Sequence, residues 1–252
     1  MAACRPVPRR CGPPDVGIAG WTSFDAGYHA AAERYWVAAL RAAHTASDRD
    51  IGANILKCTS LQRIDADQAD EALVIASAAR AGAKGAPARV RAMLTVREAR
   101  ANAECGSIVE CETLLVVAER LMQRADDEPS PPWATYFDQA EYSAQVARCY
   151  VLLRRHRLAD HWLSQSLSLQ PDERSRDRAT YQIWRADAVL DMGDVEHACA
   201  LVEQALPDVA TADSVRNHRR LAGIHRRLRQ HKNLESVKVL DEQVRGLIAL
   251  AA

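Results

Sequence analysis

Rings are scarce in this chain. Two Phe, six Tyr and five Trp make up 5% of its 252 residues. Neither sign of charge is in excess, because 33 Lys and Arg balance 33 Asp and Glu. No overall field therefore draws the chain to nucleic acid or to an anionic membrane, and only a local patch could do so. No run approaches the roughly 18 uncharged apolar residues of a membrane helix. The N-terminal "MAACRPVPRRCGPPDVG" lacks the apolar core of a signal peptide. A cytoplasmic protein without a membrane partner is the expectation. The seven cysteines (Cys4, Cys11, Cys58, Cys105, Cys111, Cys149, Cys199) contain no C-x-x-C pair, which argues against a zinc or dithiol site and for reduced, small core residues. Neither H-E-x-x-H, G-x-S-x-G nor G-x-x-x-x-G-K-S/T occurs. No catalytic residue, metal ligand or cofactor is assigned.

Proline is absent from residues 15–86, and afterwards it stands singly at Pro87, Pro171 and Pro207 or together between Pro129 and Pro132. Because proline breaks a helix interior, these positions read as helix boundaries. The blocks between them are rich in Ala, Leu, Arg and Glu, with apolar residues at three- and four-residue steps. With 48% hydrophobic residues, the chain reads as an all-α globular protein.

The helices repeat. In "DAGYHAAAERYWVAAL" Gly27 is followed by Ala32, Trp36 and Ala39, and Gly193 leads at the same offsets to Ala198, Val202 and Ala205. Gly106 leads to Cys111, Leu115 and Ala118, Asp67 to Ala72, Ala76 and Ala79, and Arg154 to Ala159, Leu163 and Ser166. A Gly permits the left-handed turn between paired helices, and small residues further on let those helices cross closely. This pattern resembles the tetratricopeptide repeat. The spacings of 40, 39, 48 and 39 residues between the first small positions exceed its roughly 34 residues. The resemblance implies a right-handed superhelix of about 12 helices in stacked antiparallel pairs, over residues 16–252. Residues 1–15 read as a disordered Pro/Arg-rich stub.

The phrases "AGWTSFDAGYHAAAERYWVAALRAAH", "RVRAMLTVREARANAECG", "PPWATYFDQAEY" and "VRNHRRLAGIHRRL" resemble the C-terminal helical-repeat half of actinobacterial helix-turn-helix transcriptional regulators, over residues 20–247. Such regulators carry an N-terminal DNA-binding domain, and only the stub precedes Gly20 here. The resemblance implies a sensory or interaction module, with no sequence-specific DNA binding by this chain alone and with self-association as a further option.

"PSPPWATYFDQAEYSAQVARCY" gathers five of the rings: Trp133, Tyr136, Phe137, Tyr142 and Tyr150. Pro131 and Pro132 read as the first turn of a helix carrying Trp133, Tyr136 and Phe137 on one side. Packing into the gap left by the longest repeat spacing is favoured over a ligand box.

In stacked repeats the first helix of each pair lines a concave groove. Counted back from the small positions, its stripe holds Asn54, Lys57 and Leu61; Met93, Val96 and Arg100; Glu141, Ala144 and Arg148; Thr180, Ile183 and Asp187. Asn54, Lys57, Arg100, Glu141, Arg148 and Asp187 are therefore the candidate groove residues. Lys57, Arg100 and Arg148 suit an acidic peptide or a peptide carboxylate. A second candidate is "SVRNHRRLAGIHRRLRQHKNL", where Arg216, Arg219, Arg220, Arg226 and Arg227 fall on one face opposite Leu221, Ile224 and Leu228. It reads as an anion patch or as a solvated terminal helix, followed by a capping helix over residues 234–250. The expected function is non-enzymatic binding of a peptide or protein, with a stand-alone scaffold and a helical enzyme as alternatives.

Overall fold

Among the described residues, six non-helical ones with positive φ set the path of the chain. The computed structural model describes residues 13–212 and 214–249. Residues 1–12 of the expected stub lie outside the described residues. Pro13, Pro14 and Asp15, grouped with that stub by composition, instead open the first helix, where a missing N–H costs nothing. The helix pairs are α1 (Pro13–Asp25) with α2 (His29–Thr45), α3 (Arg49–Asp65) with α4 (Ala69–Gly82) and α5 (Ala88–Glu104) with α6 (Ile108–Met122). They continue with α7 (Gln139–Leu152) and α8 (His156–Leu169), α9 (Ser175–Asp191) and α10 (Val195–Ala212), and α11 (Val215–Leu228) and α12 (Glu235–Ala249).

Each of the five sequence registers begins at a residue in the left-handed region. Gly27 (φ 83°), Gly106 (75°) and Gly193 (89°) meet no steric penalty there, whereas Asp67 (57°) and Arg154 (60°) take up the same geometry at a cost of roughly 1–2 kcal/mol. The turns share one hydrogen bond, donated by the residue after the left-handed one to a carbonyl five positions earlier, as from Tyr28 N to Ser23 O at 2.8 Å and from Arg155 N to Tyr150 O at 2.9 Å. Ser47 (φ 56°) makes the same turn between α2 and α3.

The small positions are the crossing points. Ala32, Ala72, Cys111, Ala159 and Ala198 have no exposed surface, and Ala39, Ala118, Ser166 and Ala205 none either. Buried Ser166 donates to Ala140 O at 2.7 Å, so its hydroxyl is satisfied. Fully buried Leu163 and Val202 contribute roughly 1.5–3 kcal/mol each. At Gly20 a methyl group would overlap the Trp36 indole, so α1 can lie against α2 only with glycine there. Odd-numbered helices from α1 to α11 each touch the next in that series and form an inner layer.

Two expectations are corrected. Pro207 lies inside α10. Its ring removes one backbone hydrogen bond, but Val202 and Ala205 before it and Val209 after it belong to one buried cluster that holds both halves of the helix. Trp133, Tyr136 and Phe137 do not share a helix. Pro132–Ala134 is a single 3-10 turn, and α7 starts at Gln139, well beyond the expected start at Pro131, because the Asp138 carboxylate accepts from Glu141 N at 3.0 Å and caps it. Residues 123–138 instead fill the space between α6 and α7, which barely touch. Arg89 donates to Phe137 O at 2.8 Å, and Glu128 accepts from Ala88 N at 2.8 Å, which fastens this loop to the start of α5.

Phe137 and Tyr142 pack edge to face with centroids 6.5 Å apart inside the core. Cys111, Cys149 and Cys199 are buried and Cys58 and Cys105 half-buried, all as free thiols; Cys4 and Cys11 lie outside the described residues. Among the described residues no helix is long and apolar enough to cross a membrane.

Candidate functional site

The inner layer curves until its ends meet. Arg216 near the start of α11 donates to Asp65 Oδ2 at the end of α3 at 3.0 Å and stands 3.8 Å from Asp25 Oδ1 at the end of α1. Arg176 on α9 adds an ion pair to Asp25 at 3.5 Å. The guanidinium of Arg216 also lies 4.4 Å from the Phe24 ring centroid and 5.8 Å from that of Trp21, with Arg176 at 5.4 Å from Trp21. Burial pushes the Asp65 carboxyl up, but Arg216, Arg100 and Arg220 outweigh it and hold the group below the usual range.

Inside this ring of helices lies a chamber of about 400 Å³. Its walls carry Trp21, Trp36, Trp133, Tyr136, Tyr181 and Trp184, four tryptophans in a protein that has five. Six cationic side chains (Lys57, Arg97, Arg100, Arg176, Arg216, Arg220) face three carboxylates (Asp25, Glu141, Asp177) in the lining, so cations predominate. Much of the charge is partnered. Lys57 donates to Tyr136 Oη at 2.5 Å, and although burial alone would lower its ammonium, Tyr136 and Cys58 hold it above the ordinary range. Glu141 accepts from the Tyr181 hydroxyl and, at 2.9 Å, from Gln145 Nε2. Burial and then Asp177 push its carboxyl up.

The α5 arginines differ. Arg97 is 9% exposed and Arg100 4%, yet Nε and Nη1 of Arg97 and Nε of Arg100 meet no hydrogen-bond acceptor. The nearest carboxylate to Arg100 is Glu104, at 3.8 Å. Burial and the neighbouring Arg148 and Arg97 push the Arg100 guanidinium down to about 9. Arg220, through burial and Arg216, is likewise pushed down to about 9. Both remain protonated at neutral pH and are held against mutual repulsion. Three guanidiniums surround Trp184, with Arg148 at 5.4 Å, Arg220 at 5.6 Å and Arg100 at 5.9 Å from its ring.

Four of the six groove candidates, Asn54, Lys57, Arg100 and Glu141, line the chamber. Arg148 stands against Trp184 without being part of the lining. Asp187 is tied to Arg227 at 2.7 Å, which also reaches Asp191 at 2.5 Å. The α11 arginines do not act as one face. Arg216 and Arg220 turn into the chamber, Arg227 fastens α11 to α9, and Arg219 and Arg226 are exposed.

Sequence reading passed over Arg97, Trp184, Tyr181 and Arg176. On α9 the inward stripe is Asp177, Thr180, Tyr181 and Trp184, one position out of phase with the expected Ile183, which is buried in the core toward α10. An aromatic pair at a three-residue step was the available signal.

No protein-family model matches the chain, and no curated protein matches it. Its fold is similar to solved structures of a kinesin light chain from Podosopora anserina with nearly identical TPR-like repeats. One of these structures, at 22% identity and a TM-score of 0.51, covers 77% of this chain and 93% of that one; a single-substitution variant of the same protein matches equally. The likeness establishes a TPR-like all-α repeat fold.

Proposed function

We propose that this chain is the ligand-receiving half of a transcriptional regulator, in which an anionic peptide or peptide-like ligand enters the concave chamber and shifts the curvature of the stack. The observation that carries the reading is the chamber itself: an excess of cations over carboxylates, part of it without acceptors, on the inner helices of a repeat stack. Burying such charge without partners is unfavourable, so an anion in the chamber stabilises the state that holds it. Because α1 and α3 are fastened to α9 and α11 by Asp25, Asp65, Arg176 and Arg216, a ligand that moves α5 or α9 alters the closure of the ring. Subunit pairing or a DNA-binding partner would then sense the change.

Binding to specific DNA is expected to lie outside this chain. Three of the five clustered α11 arginines are taken up by the chain's own acids or by the chamber, leaving Arg219 and Arg226 to meet phosphates without register. The test is native mass spectrometry of the protein recovered from its own cells, beside titration with unrelated labelled duplexes at near-physiological salt. An adduct of peptide or small-molecule mass that is absent from Arg100→Gln, with no preference among duplexes, is the expected result. An adduct that persists in Arg100→Gln places binding elsewhere, and tight selection of one duplex contradicts the division of labour.

A further inference from the structure

We propose that the chamber is built for a compact carboxylate, an acidic group on a small apolar or aromatic body, and not for an extended acidic peptide lying along the groove. The inference rests on the reading of the chamber as the ligand site and narrows its chemistry. Three observations carry it. The volume of about 400 Å³ falls in the range of roughly 300–1,000 Å³ of small-ligand sites. The ring closure through Arg216, Asp65, Asp25 and Arg176 blocks the run of a long chain across the concave face.

The third observation is the pairing of guanidiniums that lack a close carboxylate with indole walls. Arg97 and Arg220 of the lining form no ion pair with any described carboxylate, although Arg220 donates to Asn217 Oδ1 at 3.0 Å, and Arg97 and Arg100 hold buried nitrogens without acceptors. A planar carboxylate matches the forked donors of a guanidinium. Trp21, Trp36, Trp133 and Trp184 supply flat apolar surface for the rest of the molecule. A carboxylate of this kind comes from a free organic acid or from the C-terminus of a very short peptide.

Arg97 separates a ligand role from a structural one by the sign of its effect. An unpaired buried charge destabilises its own fold, so replacing it by an apolar side chain of similar length stabilises the free protein while removing the ligand's partner. The experiment uses the full chain, Arg97→Met and Arg97→Gln. Melting is followed with phenylpropionate, indole propionate and N-acetyltryptophan as free acids, N-acetyl-leucyl-tryptophan as the short peptide, the amide of each as a neutral control, and a long acidic peptide for comparison. At least one acid at millimolar concentration is expected to raise the melting temperature of the wild type, with its amide at least tenfold weaker. Arg97→Met without ligand is expected to melt higher than the wild type by a few degrees and to lose the response to acids.

The free acids against the dipeptide acid decide the source of the carboxylate. No response to any acid, or a lower melting temperature for both Arg97 variants, overturns the proposal. A response only to a long acidic peptide overturns the compact ligand and leaves the chamber reading standing. A response equal in wild type and both variants removes the chamber reading as well.

Discussion

Arg216→Ala is expected to cost about 3 kcal/mol of stability and to unfasten the two ends of the inner layer. Its side chain is 10% exposed and carries the contacts to Asp65 and Asp25, and deleting one partner of such a pair leaves the other charges buried without compensation. The stacking on Phe24 and Trp21 is lost with it. Urea denaturation gives the magnitude, and a double-mutant cycle with Asp65→Asn gives the mechanism. If closure is the source of the loss, Asp65→Asn adds little to a chain already lacking Arg216. Full additivity of the two changes would mean that the pair does not hold the ring.

Ala198→Leu is expected to lower stability by about 1–3 kcal/mol, because it adds three carbons where α10 crosses its neighbour with no exposed surface at all. Ala198 packs in one buried cluster with Val189 of α9 and Val237 of α12, so no solvent-facing rotamer relieves the overlap. Thermal melting with retained helical circular dichroism checks it. An unchanged melting temperature would remove the fifth repeat from the pattern.

These two sites also mark where the sequence is readable and where it is not. Ala198 is legible because repeat packing is local: a left-handed residue, then small residues at fixed offsets, recurs wherever two helices must cross closely. Even Arg154, whose side chain gives no hint of a turn, falls into register because its neighbours carry the pattern and the positive φ follows. The Trp133 to Phe137 segment misled because proline before aromatic residues suits a helix start, and the Asp138 cap that delays it competes with that signal.

Lys57 and Arg100 were legible as inner-face residues from helical periodicity alone. Their burial was not, since it depends on α7, α9 and the loop over residues 123–138. The Arg216 contact with Asp65 spans 151 positions, and nothing local announces such a closure. Arg97 is the sharpest omission. Its importance lies in lacking a partner while buried, a property of its surroundings that no spacing rule encodes.

Hydrogen exchange of the full chain, with and without saturating indole propionate, tests the chamber most directly. The account predicts slower amide exchange on α3, α5, α9 and α11, whose side chains line the cavity, with little change on the outer helices α4, α6 and α8. Protection confined to those outer helices, or bound ligand without protection on α5 and α9, would contradict it.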